Sequence, residues 1–391
     1  MASPDLPRPI HLWVPDLQGA GGIQHYSVCM VRAMRELFPQ TRIEVLCKND
    51  CGSEASNDRV RIRPFGHWPE KLRTAAYSSK GLWLAATQHP AFILATHPNF
   101  APAIQYAGRL FGIPYLAAAH GIETWGHLHG RFRAALAGAA GLLPVSRFTR
   151  RILMEEGRLD PARMAVVPDT FREDAFAPGP KPAFLLERHG LRPDQPVLLT
   201  VGRLAASEAY KGHDKVIAAL PAIRAVLPEV RYIIAGTGND KARLRKCAAD
   251  HGQTDAVIFA GFVPDQELAG YYRLCDAFVM PSTGEGFGIV YLEALASGKP
   301  CIVGNCDASP EAIGDGRLGF IVDPRSPAEI ADAVVRLLSR QHDKPWLHDS
   351  ETLRREVIRL YGFEAFKRSL DEALTKLLPQ LSTINHQPAT H

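Results

Sequence analysis

Residues 277–304 read Ala277-Phe-Val-Met-Pro281-Ser-Thr-Gly284-Glu285-Gly286-Phe287-Gly288-Ile289-Val290-Tyr-Leu-Glu293-Ala-Leu-Ala-Ser297-Gly-Lys-Pro300-Cys301-Ile-Val-Gly304. The apolar run 277–281 predicts a strand, 288–297 a helix, and the second apolar run 301–304 another strand. Strand, glycine loop, helix and strand make a βαβ unit, and such units build parallel sheets. Gly284, Gly286 and Gly288 remove side chains where backbone must approach a ligand. The amides that open the helix suit an anion or a hydroxyl. Two carboxylates stand out. Glu285 lies in the loop, and Glu293 follows eight positions later in an otherwise apolar helix face, where a carboxylate needs a partner. Taken alone, the pair fits equally well a dipole-complementing glutamate and a surface glutamate.

The same alternation runs outward in both directions. Downstream of residue 196, strands are expected at 197–202, 231–235, 257–261 and 320–322, with helices at 214–227, 241–250, 265–274 and 327–340. A long helical tract, 353–378, follows. Upstream, strands are expected at 9–15, 42–47, 60–64, 92–97, 114–120, 142–145 and 165–168, with helices at 23–37, 101–111 and 148–156. Several of these strands are continuous apolar runs, as in sheets covered on both faces. Residues 172–195 are rich in Pro, Gly and charge and read as a linker. The expected fold is α/β, with two Rossmann-like doubly wound domains. The first spans 1–175, the linker 176–195 and the second domain 196–352. Helices at 353–380 return to the first domain, and 381–391 form a flexible tail. Ligands of such sheets sit at the carboxyl ends of the strands, here in a cleft that the two domains face.

Composition narrows the class. The 391 residues are 46% hydrophobic and 22% charged, which excludes a disordered chain or a fibre. The net charge of +4 is too small for a dedicated nucleic-acid binder. It is uneven: residues 1–170 carry 19 Lys and Arg against 13 Asp and Glu, and the remainder 26 against 28. That asymmetry fits an anionic partner or surface on the first domain. The seven cysteines form no C-x-x-C pair and suit a reducing cytosol. No basic region followed by an apolar stretch opens the chain, so a cytoplasmic location is expected. The charge-free stretch 81–108 is broken by Pro90, Pro98 and Pro102 and reads as strand, loop and helix rather than a membrane span.

The 281–300 segment resembles the E-x7-E motif of retaining glycosyltransferases of the GT-B fold, family 4. Other elements are similar to that family's pattern: Gly202-Arg203-Leu204 with Lys211-Gly212, Ala235-Gly236-Thr-Gly238, Phe259-Ala-Gly-Phe262-Val263, Gly304-Asn-Cys-Asp-Ala-Ser-Pro-Glu311 and Gly319–Pro324. Gly21-Gly22 and His120-Gly121 match its amino-terminal domain more generically. The resemblance implies transfer of a hexose, with retention, from a UDP- or GDP-linked sugar to a saccharide or a lipid-linked (polyprenyl) saccharide, in surface polysaccharide or glycolipid synthesis.

The resemblance also implies roles. Arg203 and Lys211 meet the leaving diphosphate beside Gly202, and Gly21 and Gly22 cap it with backbone N–H groups. Glu285 contacts a donor-sugar hydroxyl, helped by the backbone of Gly286, Phe287 and Gly288 and by the first helical turn, Ile289 and Val290. Glu293 holds the ribose. Phe262 and Val263 flank the base, next to Gly236. His120 lies near the reacting carbon, so Glu285, His120, Arg203 and Lys211 form the catalytic set. In the family a phosphate oxygen of the leaving group is thought to deprotonate the acceptor. Trp125 and His127, close to His120, are candidates for the acceptor side. With no D-x-D and no metal-ligand spacing, no metal and no cofactor is expected.

Two features depart from the family pattern. Arg203 and Lys211 stand eight apart, a longer loop than usual in which Ser207-Glu208-Ala209-Tyr210 reads as an inserted turn; should Lys211 point elsewhere, the diphosphate falls to Arg203. Asp169-Thr170 stands where the family has Asn-Gly. Arg59, Arg61, Arg63, Trp68, Lys71, Arg73, Lys80 and Trp83 interleave cations with aromatics. They fit peripheral docking on anionic lipid at the inner face of the plasma membrane, or equally an ordinary strand edge and helix face. The rival functions are a nucleotide-sugar epimerase or sugar phosphorylase of the same fold and a two-lobed non-catalytic sugar-binding protein. A nicotinamide oxidoreductase is disfavoured, because Gly19, Gly21 and Gly22 lack the third glycine of G-x-G-x-x-G.

Overall fold

The computed structural model describes residues 6–19, 21–52, 55–56, 59–121, 123–126 and 128–379. The chain divides into two compact units. One is Met1–Thr170 together with Phe363–His391, and the other is Phe171–Gly362.

The first unit contains β1 (Ile10–Val14), α1 (Gly22–Leu37), β2 (Ile43–Cys47), β3 (Ala55–Ser56), β4 (Val60–Pro64), α2 (Glu70–Gln88), β5 (Phe92–Ala95), α3 (Ala101–Phe111), β6 (Tyr115–Ala119), α4 (Gly130–Ala137), β7 (Gly141–Pro144) and α5 (Arg147–Glu155). Its sheet has the order β3-β4-β2-β1-β5-β6-β7, parallel except for the β3–β4 pair. Strands β1, β2, β5, β6 and β7 are buried along their whole length. That is why their sequences are apolar runs rather than alternations. The charged residues Glu44 and Arg63 that enter the sheet pair with each other: Arg63 Nε meets Glu44 Oε2 at 2.8 Å, and Gln88 Nε2 donates to Glu44 Oε1 at 3.3 Å.

This pairing removes Arg63 from the basic face expected around β4 and α2. Arg63 points into the sheet's covered side, where Glu44 supplies the carboxylate that a buried guanidinium cannot do without. Arg73 is tied to the loop before α2, with Nη2 donating to Gly66 O at 3.1 Å. Trp68, Leu72 and Trp83 remain exposed, and Lys80 lies 3.9 Å from the centre of the Trp83 ring. Residues 165–168, expected as a strand, run beside β7 with Ala165 N on Leu142 O and Val167 N on Pro144 O. They make only an isolated bridge at Met164 and stop at Pro168.

The second unit contains α6 (Ala183–His189), β8 (Val197–Val201), α7 (His213–Val226), β9 (Arg231–Ala235), α8 (Lys241–Asp250), β10 (Val257–Gly261), α9 (Asp265–Leu274), β11 (Ala277–Met280), α10 (Ile289–Ala296), β12 (Cys301–Gly304), α11 (Ser309–Ala312), β13 (Gly319–Val322), α12 (Pro327–Leu338) and α13 (Ser350–Tyr361). All six strands are parallel, in the order β10-β9-β8-β11-β12-β13. The order reverses between β8 and β11.

The expected linker, 176–195, carries α6 and packs into this unit. Lys181 Nζ meets Asp276 Oδ2 at 2.8 Å, and Arg188 pairs with Glu267 on α9. The helical tract at 353–378 is two helices. Gly362 is extended (φ −65°, ψ 168°) and ends α13, and α14 (Phe363–Leu377) then joins the first unit, where Lys367 meets Glu36 on α1 at 2.7 Å. The tail 381–391 lies outside the described residues.

The packing of α2 on the first sheet yields a direct test. Gly81 faces Trp13, and a Cβ built there would sit 2.0 Å from the indole Cζ2. Gly81→Ala in a helix interior gains about 1 kcal/mol in propensity, whereas overpacking a rigid core costs ~1–3 kcal/mol. Trp13 is fully buried and already edge-on to Tyr77 at 5.1 Å, so it has no room to retreat. Denaturant unfolding should therefore show Gly81→Ala to be less stable than wild type; equal or greater stability would mean that α2 can move off the sheet.

Candidate functional site

The reversal between β8 and β11 leaves the loops after those strands, 202–212 and 281–288, beside each other at the carboxyl ends of the sheet. Backbone contacts that only glycine permits bring the chain after β9 against the chain after β8. Gly236 has φ 146°, and a Cβ there would lie 1.8 Å from Gly202 O. Gly202, Arg203, Gly236, Phe262 and Val263 line a cavity of about 170 Å³ with Val201 and Leu268. Phe262 stands at its rim, 76% exposed.

A cluster of four charges lies next to this cavity. Lys211 Nζ is 2.8 Å from Glu285 Oε1 and 3.5 Å from Glu208 Oε2, and the second oxygen of Glu208 pairs with Arg203 Nη2. The Lys211 side chain is 12% exposed and that of Arg203 is 82% exposed. Burial works to lower the Lys211 pKa, but the carboxylate of Glu285, with Glu208 behind it, outweighs burial and holds the amine above its ordinary range. Burial, with Glu285 beside it, pushes the Tyr210 hydroxyl up to about 12. The long Arg203–Lys211 spacing is accommodated by a tight turn at Ala206–Lys211, so Lys211 returns to the cluster rather than pointing away.

Glu285 is fixed through its backbone. Its N–H donates to Asp307 Oδ2 at 2.7 Å, its carbonyl accepts from Ala308 N at 3.1 Å, and Gly284 N donates to Ser282 Oγ at 3.1 Å. Burial pushes the Asp307 carboxyl up to about 6, against the hydrogen bonds from Glu285 N and Ser309 N. Helix α10 starts at Gly288 (φ 95°) with no side-chain cap, and Ile289 and Val290 in its first turn are half-buried. The Phe287 ring is buried against Tyr361, 5.2 Å between centres, so this residue offers backbone rather than side chain. Gly286 is half-buried in the loop. Glu293 accepts from Tyr272 Oη at 2.7 Å, and its carboxyl packs deep enough that burial pushes its pKa up to about 7. It is therefore held apart from the Lys211 cluster by its own partner.

The residues expected in the first unit form their own group. Gly21 (φ 145°) precedes α1 and offers no side-chain cap, and Gly22 opens the helix. The 16–19 loop before them is held by Asp50, which accepts from Leu17 N at 2.9 Å and Gln18 N at 3.2 Å. His120 Nε2 donates to Thr96 O at 2.7 Å, and its ring lies edge-on to Tyr26 at 4.7 Å. Burial, with His120 next to it, lowers His97 to about 4. Among the described residues, Tyr26 Oη and Thr170 Oγ1 are buried without hydrogen-bond partners. Trp125 stacks edge-on to Phe148 at 5.2 Å, with its indole N–H buried and unpartnered among the described residues. His127 lies outside the described residues.

Glu208, Asp307 and Tyr272 were not singled out as site residues from sequence. Their partners lie between 2 and 22 positions away, and only Glu208 carried a signal, as part of the inserted turn. Among the described residues no group of three His, Cys, Asp or Glu could hold a metal ion, and no helix is long and apolar enough to cross a membrane.

Residues 183–350 match the family described as glycosyl transferases group 1. The GDP-mannose-dependent alpha-(1-6)-phosphatidylinositol monomannoside mannosyltransferase of Mycobacterium tuberculosis is 36% identical over 184 residues, 45% of this chain and 47% of that protein. The chain thus spans about half the length of that relative. The D-inositol 3-phosphate glycosyltransferase of Frankia alni is 30% identical over 364 residues, 84% of this chain and 88% of that protein. Among solved structures, the sucrose-phosphate synthase of Thermosynechococcus elongatus superposes with a TM-score of 0.76 at 20% identity, covering 95% of this chain and 100% of that one, which is a likeness of fold. With a relative of that identity matched over most of both chains, this protein belongs to the group 1 glycosyl transferases, family 4 of the GT-B fold.

Proposed function

We propose that the protein is a retaining, metal-independent glycosyltransferase that moves a hexose from a nucleoside-diphosphate sugar to a hydroxyl of a saccharide or a lipid-linked acceptor. The observation that carries this reading is the convergence of Arg203, Lys211 and Glu285 at the ends of β8 and β11, beside a cavity sized for part of a nucleotide. Cleavage of the sugar–phosphate bond develops negative charge on the leaving diphosphate and positive charge on the anomeric carbon. Arg203 and Lys211 supply cations for the first; each charge-assisted hydrogen bond is worth about 1.5–3 kcal/mol. Glu285, with its backbone pinned by Asp307 and one carboxylate oxygen on Lys211, is placed to accept from a donor-sugar hydroxyl. The uncapped start of α10 adds donors for oxygen. Phe262 and Val263 flank the base, and Glu293 takes the ribose.

The names of the mannosyltransferase relatives favour GDP-mannose as donor. The second relative's name favours a phosphorylated inositol hydroxyl as one acceptor to try. Gly21, Gly22 and His120 keep the phosphate-capping and reacting-carbon roles that the family resemblance implies, and Trp125 is assigned to the acceptor. The exposed Trp68, Leu72 and Trp83 with Lys71 and Lys80 support peripheral contact with anionic lipid. The proposal has no step that needs a metal, so activity should survive a chelator.

Two experiments test the reading. Glu285→Ala should lower kcat by at least a hundredfold in the folded protein; near-normal turnover would remove Glu285 from the chemistry. Glu293 gives a pH signature. Burial raises its pKa to about 7. A ribose diol donates hydrogen bonds best to the ionised form, so binding lowers its pKa and releases a proton, and affinity rises as pH rises through 7. Calorimetry at pH 6 and pH 8 should show wild type gaining up to about tenfold in nucleoside-diphosphate affinity relative to Glu293→Gln. Parallel curves for the two proteins would detach Glu293 from the ribose.

A further inference from the structure

The expected diphosphate cations are both engaged by carboxylates of the protein. Glu208 holds both. One carboxylate oxygen pairs with Arg203 and the other lies 3.5 Å from Lys211 Nζ, while Lys211 is also on Glu285 at 2.8 Å. Two positive and two negative groups thus make a cluster with no net charge. The placement of Glu208 is built rather than incidental. Its residue is 8% exposed, and its backbone (φ −110°, ψ 20°) departs from the helical turn around it. The turn is pinned at both ends: Ala206 N donates to Asn239 Oδ1 at 2.8 Å, and Thr283 N donates to Tyr210 O at 2.9 Å. The two cations differ in freedom. Lys211 is enclosed, whereas the Arg203 side chain is 82% exposed and held at its tip by Glu208.

We infer that Glu208 is a resident counter-anion of the donor site: it occupies the place of a phosphate between Arg203 and Lys211 while the site is empty, and surrenders Arg203 to the diphosphate when a nucleotide enters. The inference rests on the reading of Arg203 and Lys211 as the diphosphate cations. Its physical basis is that a fixed carboxylate and an incoming phosphate carry the same charge and compete for the same guanidinium, so one must leave it. Arg203 is the partner that can turn, because its stem is in solvent. Lys211 stays with Glu285 throughout. The affinity for the nucleotide is then set below what an unpaired Arg203 would give, and the leaving nucleoside diphosphate is displaced by an anion that is already in place. The turn that carries Glu208 is the same segment that lengthens the Arg203–Lys211 spacing.

Calorimetric titration of the full-length protein with GDP and UDP tests this, using wild type, Glu208→Gln, Glu208→Ser, Arg203→Ala and Arg203→Ala/Glu208→Gln. Glu208→Gln and Glu208→Ser, where they melt as folded chains, should bind the nucleoside diphosphate about tenfold more tightly than wild type, and most of that gain should vanish when Arg203→Ala/Glu208→Gln is compared with Arg203→Ala. Binding that is unchanged or weaker in the folded Glu208 variants would overturn the inference. A structure of the wild-type protein with the nucleoside diphosphate needs no variant: Arg203 should have left Glu208 for phosphate oxygens, and an intact Arg203–Glu208 pair in that complex would equally overturn it. Arg203→Ala separates the two levels. If that variant binds nucleoside diphosphate as well as wild type does, the diphosphate reading of the site fails; if it binds at least tenfold more weakly while the Glu208 variants gain nothing, only the counter-anion role fails.

Discussion

An ammonium group that is mostly out of water fixes the architecture at the ends of β8 and β11. Lys211 is 12% exposed, and an unpaired charge at that depth costs several kcal/mol. Carboxylates on both sides keep it charged, Glu208 from the loop after β8 and Glu285 from the loop after β11. The two loops must therefore run close together, and their glycines follow from that need. A Cβ at Gly212 (φ 77°) would lie 2.6 Å from Pro281 O, one at Gly284 would lie 2.8 Å from the Tyr210 ring, and one at Gly202 would crowd the Lys211 stem at 3.1 Å. These glycines serve loop-to-loop packing before any ligand is considered.

A third strand end completes the arrangement. Asp307, after β12, accepts from Glu285 N and Ser309 N, and Tyr291 Oη reaches Met280 O at 2.8 Å and Ser309 Oγ at 2.9 Å. The Glu285 loop is thus braced from β8, β11 and β12 together, which a parallel sheet allows because all its strands end on the same side. Bracing of this kind leaves little conformational entropy to lose when a sugar hydroxyl meets the carboxylate.

Much of this was legible in the sequence because it is local. Apolar runs of four or five residues marked the buried strands, and the glycine pattern of 284–288 marked the turn into α10. What stayed hidden depends on partners that are distant or without a pattern. Arg63 looked like part of a solvent-facing basic stripe until Glu44 and the covered face of β4 accounted for it. The Pro-rich stretch after residue 176 read as a linker, yet its prolines flank α6, which Arg188 and Lys181 fasten to α9 and to the start of β11. Helical periodicity ran unbroken through Gly362, yet this residue turns extended and ends α13, at a point where a Cβ would lie 2.5 Å from Ile358 O and 2.7 Å from Glu173 Oε1. Asp307 had no neighbour in sequence to announce that it would hold Glu285.

The asymmetry between the two cations follows from the same physics. A lysine amine is a compact charge whose stem can be buried while several acceptors surround it, and Lys211 is used in that way. A guanidinium is planar, weakly hydrated and able to exchange one oxyanion for another along its fork, and Arg203 is left with its stem in water and only its tip engaged. The strand end at Gly202 places Arg203 beside the cavity that Gly236 and Val263 also line, whereas the turn at 206–211 carries Lys211 back beneath it. One cation is thereby built into the protein as a fixed support for Glu285, and the other is held in reserve at the surface. Interchanging the two residue types would bury the larger, forked group where two carboxylates already fill the space, and would leave at the surface a point charge with no fork to share between a carboxylate and a phosphate.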